Sequence, residues 1–155
     1  RDLHLSIRRQ RQMCIRDSVT QNRERILSEI VGRGLDPSVR AEVTLMPYGS
    51  IAEYDLLEIP NHFPNVEILN YAIMPDHLHI LLALGCREVV AEGSRPLPTV
   101  STIIGQYKAG VSRKCKRAIW QKYYHDHIIR NQLDFEETWK YIDNNPLQWV
   151  LDGKA

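Results

Sequence analysis

The sequence has little of what usually settles a protein's class at once. It carries three cysteines, Cys14, Cys86 and Cys115, in 155 residues. An odd, widely spaced set suggests neither a disulfide framework nor a zinc site, and a reducing cytoplasm is the default expectation. No apolar run approaches the ~18–20 residues that cross a bilayer, so no membrane partner is expected. There is no internal repeat and no low-complexity tract. The formal charge is only +1, too small to advertise nucleic-acid binding by itself. What remains is ordinary: 43% hydrophobic and 25% charged residues, in a length that suits one domain around one core.

The N-terminal stretch stands apart. Arg1 to Ser18 holds five arginines and two aspartates with almost no pattern; without it the formal charge falls from +1 to −2. A basic arm is one reading. The run Arg8-Arg9-Gln10-Arg11-Gln12-Met13-Cys14-Ile15-Arg16-Asp17-Ser18 instead resembles translated sequencing-adapter DNA. Residues 1–18 are therefore expected to be non-native, with 19–155 forming the domain. On that reading Val19 to Arg23 is the end of a first strand that lacks its beginning. Its neighbours in the sheet would be left with unpaired backbone groups and the fold with marginal stability.

The rest reads as alternating strands and helices. Arg25 to Ile30 continues the first extended stretch, and Gly32 and Gly34 mark a loop. Ala41 to Met46 predicts a strand, and Pro47 to Ile59 a helix with Ile51, Tyr54 and Leu57 about one turn apart. Val66–Met74 and His77–Leu84 form an antiparallel pair about a Pro75-Asp76 turn. Gly85 to Pro98 is a loop. Thr99 caps a helix to about Cys115 with an apolar stripe of Val100, Ile103, Ile104, Tyr107 and Val111. Trp120 to Arg130 is extended. Asp134-x-x-Glu137 resembles a capping box opening a last helix, which should end near Asn145 because Pro146 disfavours helix in the residue before it. The pattern predicts an α+β layered fold.

Several groups could carry chemistry. His77 and His79 share a strand face, since side chains alternate along a strand, and two imidazoles side by side can hold one divalent metal. A bare His-x-His is also the pattern of a solvent-facing strand. In the last helix Phe135, Trp139 and Ile142 form the buried stripe; Tyr141 and Asn145, four apart, share another face that this stripe does not explain. Residues 106–130 hold Lys108, Arg113, Lys114, Lys116, Arg117, Lys122 and Arg130 against Asp126 alone, interleaved with Tyr107, Trp120, Tyr123 and Tyr124. Cations for phosphates and rings for unpaired bases suit single-stranded nucleic acid; a solvated helix face over core aromatics would read the same. His125 and His127 could add a ligand, touch a phosphate or serve structure alone.

Three blocks carry a resemblance. Tyr71-Ala72-Ile73-Met74-Pro75-Asp76-His77-Leu78-His79-Ile80-Leu81-Leu82 is similar to the HUH block of the REP-associated tyrosine transposases. Trp120 to Arg130 resembles their next block, and Tyr141-Ile142-Asp143-Asn144-Asn145-Pro146 their closing one. Thr20-Gln21-Asn22-Arg23 fits the end of their first strand, so the resemblance covers about residues 19–152. It implies a ferredoxin-like antiparallel sheet with helices packed on one side. It implies a divalent metal, magnesium or manganese, on His77 and His79, the imidazoles favouring manganese. It implies Tyr141 as nucleophile, with Tyr124 or Tyr123 the alternative. The third metal ligand falls to Asn145, where related insertion-sequence transposases carry glutamine, or to His127.

The implied reaction is cleavage and rejoining of hairpin-forming single-stranded DNA through a 5′-phosphotyrosine, by a monomer or homodimer. Lys108, Arg113, Lys114, Arg117, Lys122 and Arg130 are expected to hold the DNA backbone. A derivative that binds hairpins without cutting them is the second reading. A histidine-triad nucleotide hydrolase fits poorly, because Leu81 stands where its third histidine belongs.

Overall fold

A computed structural model describes residues 12–33, 40–85 and 98–154, with Arg33, Tyr123 and Tyr124 described in their backbone only. The expected loop at 85–98 and residues 1–11 thus fall largely outside the described residues. The elements are β1 (Gln12–Thr20), a 3-10 turn (Gln21–Arg23), β2 (Ser28–Arg33), β3 (Arg40–Leu45), α1 (Pro47–His62), β4 (Val66–Ile73), β5 (His77–Leu84), α2 (Val100–Cys115), β6 (Trp120–Ile128) and α3 (Gln132–Leu151). The fold is α+β. A four-stranded sheet runs β4-β5-β1-β6, every pair antiparallel, and β2 and β3 form a separate hairpin. Leaving out the hairpin, the order β1-α1-β4-β5-α2-β6 is a pair of split βαβ units followed by one more helix.

The first strand departs from expectation. Gln12 to Ser18, set aside in the sequence reading, supply most of β1, which lies inside the sheet between β5 and β6. Gln12 pairs with Leu84 and Val19 with His77 along β5, so the neighbours' backbone groups are not left open. The physical reason is alternation. Met13 and Ile15 point to one face and Cys14 to the other, all buried, and the ladder is made of backbone bonds indifferent to the origin of the side chains. The poor fit is Arg16, 2% exposed in the core, reaching Asp126 and Ser101 at 3.4 Å each.

The sheet is covered on both faces, whereas helices on one side were expected. Leu78, Ile80 and Leu82 of β5 face α1 and α2 in one cluster, while Leu81 and Ala83 face α3 in another. A central strand apolar on both sides requires two covers. α1 and α2 form one layer; α3 crosses the other face, against β4 and the hairpin.

Helix ends also moved. α1 runs past Pro60 to His62, and α3 starts two residues before Asp134, capped by Asn131, whose side chain accepts from the Asp134 amide at 2.8 Å. α3 continues through Pro146 to Leu151 because Trp149 beyond it is buried. That burial outweighs the local bias of the residue before proline. Gly49, near the start of α1, is required by close approach: a Cβ there would lie 1.8 Å from the Leu27 carbonyl oxygen.

Candidate active site

The His77-Leu78-His79 strand is held at its start by a tied-down turn. Met74 donates its amide to the His77 carbonyl at 2.8 Å, closing the Pro75-Asp76 turn as the sequence predicts. The Asp76 carbonyl accepts from the amide of Thr20 at 2.9 Å and from its hydroxyl at 3.0 Å. The Leu27 amide donates to Pro75 at 3.1 Å, and the Ser28 hydroxyl to Ile73 at 2.9 Å. The strand carrying the histidines therefore begins at a fixed place.

The histidines point to the face covered by α3. Their rings are 4.7 Å apart. Each has its Nδ1 on a carboxylate: His77 lies 2.6 Å from Asp76 and His79 2.5 Å from Asp17. With Nδ1 as the donor, each Nε2 is left as a lone pair facing outward, the tautomer a metal-binding imidazole needs. His79 Nε2 is buried with no hydrogen-bond partner among the described residues. Burial, the main influence, pushes His77 below the ordinary imidazole range, against the upward pull of the Asp76 carboxylate.

α3 lays its second face over this pair. The Tyr141 ring centroid is 5.2 Å from that of His79, and the Trp149 centroid 6.2 Å from that of His77. Asn145, half-buried, is about one turn from each and on the same face of the helix. Phe135, Thr138 and Ile142 anchor the helix beneath, and Asn70 on β4 donates to Asp143 at 3.0 Å. Tyr141 is 53% exposed, so its hydroxyl is open to a substrate although the helix is fixed.

The cavity here, about 500 Å³, is lined by Asp17, Val19, Arg23, His77, His79, Gln121, His125 and Tyr141. It thus brings together His77, His79 and Tyr141; Asn145 is not among its lining residues. It does not bring in His127, whose Nε2 lies 2.8 Å from both oxygens of Asp134 at the start of α3. His125, on the same face of β6 and paired with Asp17, is the histidine that reaches the cavity. Among the described residues no three His, Cys, Asp or Glu side chains converge on a metal position. The histidine pair supplies two donors, and Asn145 is carried on the helix face that also bears Tyr141 and Trp149. Tyr124 and Tyr123 fall outside the described side chains.

Arg23, Asp76 and Trp149 were not singled out by the sequence reading. Asp76 had a signal, a carboxylate directly before His77. Arg23 lies 3.5 Å from Asp76 Oδ2 and adopts φ 51°, the left-handed region that arginine rarely enters. Its place depends on the backbone turn after β1, which no local pattern encodes.

The expected DNA-binding residues are divided. Lys114 is bonded to Asp55 and Arg117 to Glu24 at 3.0 and 3.1 Å, both on the α1–α2 side of the sheet, away from Tyr141. Arg113 lines the groove between α1 and α2. Lys108 donates to the Gln121 carbonyl at 3.0 Å and shares a groove with Lys122 that meets the His77 cavity at Gln121. Arg130 is exposed just beyond β6.

Comparison with known proteins adds to this geometry. An uncharacterized protein of Haemophilus influenzae is 28% identical over 132 residues, 74% of this chain and 73% of that one. The structure of a REP-associated tyrosine transposase bound to a REP hairpin matches with TM-score 0.61 at 20% identity, covering 88% of this chain and 67% of that one. A candidate transposase of Deinococcus radiodurans R1 matches with TM-score 0.50 at 15% identity, over 86% and 90% of the two chains. At these identities the two structures speak for the fold alone. The family described as transposase IS200 like matches residues 56–145, more than half of the chain, and to that family of transposases the chain belongs.

Proposed function

We propose that this transposase cuts and rejoins hairpin-forming single-stranded DNA, with Tyr141 as nucleophile and a divalent cation, magnesium or manganese, held by His77, His79 and Asn145. The observation that carries the reading is the Tyr141 ring 5.2 Å from His79, a histidine whose buried Nε2 has no partner among the described residues.

A phosphodiester is anionic and repels nucleophiles. The bound cation would draw charge from a non-bridging oxygen of the scissile phosphate and orient it. The chain's own residues do the rest. Asp76 and Asp17 fix the imidazoles by their Nδ1 atoms. Arg23 at the cavity rim meets the phosphate's charge. The Tyr141 oxygen attacks phosphorus as its proton leaves to solvent, the P–O3′ bond breaks, and the departing O3′ takes a proton from solvent, leaving a 3′-hydroxyl and a 5′-phosphotyrosine. The link conserves the bond's energy, so a second 3′-hydroxyl can reverse the step without ATP. Lys122 and Arg130, on and just beyond β6, and Lys108, bonded to the Gln121 carbonyl, would follow the DNA backbone; Lys114 and Arg117 are already bonded to carboxylates and Arg113 lines the α1–α2 groove, so these would contribute less. Residues 1–18 are proposed to be non-native in origin.

The test is cleavage of a hairpin-forming single strand with manganese by wild type, Tyr141→Phe and Tyr124→Phe. Loss of cutting and of the covalent protein–DNA adduct in Tyr141→Phe alone is expected. An adduct surviving in Tyr141→Phe would overturn the assignment. Hairpin binding without any cutting by wild type would make the protein a binding derivative.

A further inference from the structure

Beyond Trp149 the surface holds two cations for which the cleavage reaction has no use. The Arg25 guanidinium lies 5.0 Å from the Trp149 ring centroid and the Lys154 ammonium 5.3 Å from it. Arg25 also donates to the Lys154 carbonyl at 2.8 Å. Like charges gathered on one ring repel. The indole face attracts both and the carbonyl ties one down, which holds them together. Among the described residues neither has a carboxylate within ion-pair distance. Glu29, the carboxylate lining the adjoining cleft between the β2–β3 hairpin and the end of α3, pairs with neither. Lys114 and Arg117, on the other face, are neutralised by carboxylates. Among the described residues this preassembled cation pair has no counter-charge, which makes it a place for an anion.

Its position says which anion. Trp149 stands against His77 on the side away from Tyr141. The Arg25 guanidinium is at most about 11 Å from the His77 ring, the longest span that separations of 6.2 and 5.0 Å allow. A separation that short places the pair within a few nucleotides of the histidines along a DNA strand. Resting on the function proposed above, we infer that Arg25 and Lys154 clamp a backbone phosphate of the unpaired DNA flanking the scissile linkage. The clamp is separate from the basic segment 106–130.

The test measures binding, without added metal, by wild type and an Arg25→Gln/Lys154→Gln variant. The two ligands are a hairpin carrying a short unpaired flank and the same hairpin trimmed to its stem. Both side chains are exposed, and an unchanged Tm checks the fold. The expected result is an affinity loss on the order of tenfold for the flanked hairpin at about 0.1 M salt, and a log K–log salt slope smaller by about 0.7 per cation. The trimmed hairpin should be unaffected, and Arg25→Lys should keep the slope. Equal losses on both ligands, or none on either, would overturn the clamp. If wild type cuts through Tyr141 while the variant binds normally, the clamp fails and the function stands. If wild type binds neither ligand, the function fails and takes the clamp with it.

Discussion

Asp76 offers a graded test of how the site is held. Its carboxylate is 2.6 Å from His77 Nδ1, while its backbone carbonyl separately receives the Thr20 amide and hydroxyl. Substituting the side chain therefore changes the support of His77 and leaves the backbone tie of the turn in place. Asp76→Asn keeps an acceptor oxygen but removes the charge that strengthens the bond and makes Nε2 a better donor. Asp76→Ala removes the acceptor as well and frees the ring to rotate. Losing such a carboxylate typically costs 10- to 100-fold in metal affinity, about 1.4–2.7 kcal/mol. Asn should fall near the lower end of that range and Ala near the upper. Manganese titration by calorimetry reads the affinity directly, and circular dichroism confirms the fold. Equal manganese affinity in wild type and Asp76→Ala, with the fold intact, would refute the claim that His77 is a ligand oriented through Nδ1.

Tyr107 donates its hydroxyl to the Ala52 carbonyl at 2.8 Å inside the α1–α2 layer, so Tyr107→Phe should cost about 1–2 kcal/mol and lower the Tm by several degrees. Arg16 is buried while its partner Asp126 is half exposed, so Arg16→Met leaves no charge stranded in the core; it should hold or raise the midpoint of urea unfolding, and a clear fall would show the buried ion pair to be net stabilising. Burial pushes the Cys14 thiol up to about 11, so the folded chain keeps its proton where the unfolded chain loses it. Cys14 thus contributes stability that is present below pH ~9 and is lost as pH rises toward 11, at most about 2–3 kcal/mol. A Cys14→Ala variant should show a shallower alkaline fall in stability over that window.

Much of the site was legible because it is written at short range. His77 and His79 share a face through strand periodicity, and the Pro75-Asp76 turn lies where its residues put it. The Thr99 cap of α2 accepts the Thr102 amide as expected. Tyr141 was set apart because no neighbour on its own helix accounts for it. What was not legible depends on distant partners. Nothing local says that the face opposite α1 and α2 is closed by α3, that Pro146 will sit inside that helix, or that His125 rather than His127 reaches the cavity. These follow from Trp149 finding a buried place beside His77, from strand register against β1, and from Asp134 capturing His127. The basic segment 106–130 was read as one surface. In the fold α2 and β6 turn its charges in different directions, and acids on α1 and before it neutralise part of them.

The two halves of the reaction are mounted on parts of unequal permanence. The histidines ride on β5, paired on both sides and covered on both faces, where amides should exchange with solvent only when the whole domain opens. Tyr141 rides on α3, which joins no strand ladder and is held to the sheet by side-chain contacts. Local opening can therefore lift the helix, with whatever strand end it carries, away from the histidines without unmaking them. Were Tyr141 to hold one DNA end while another arrives, as proposed, the helix and not the sheet would be the part free to move.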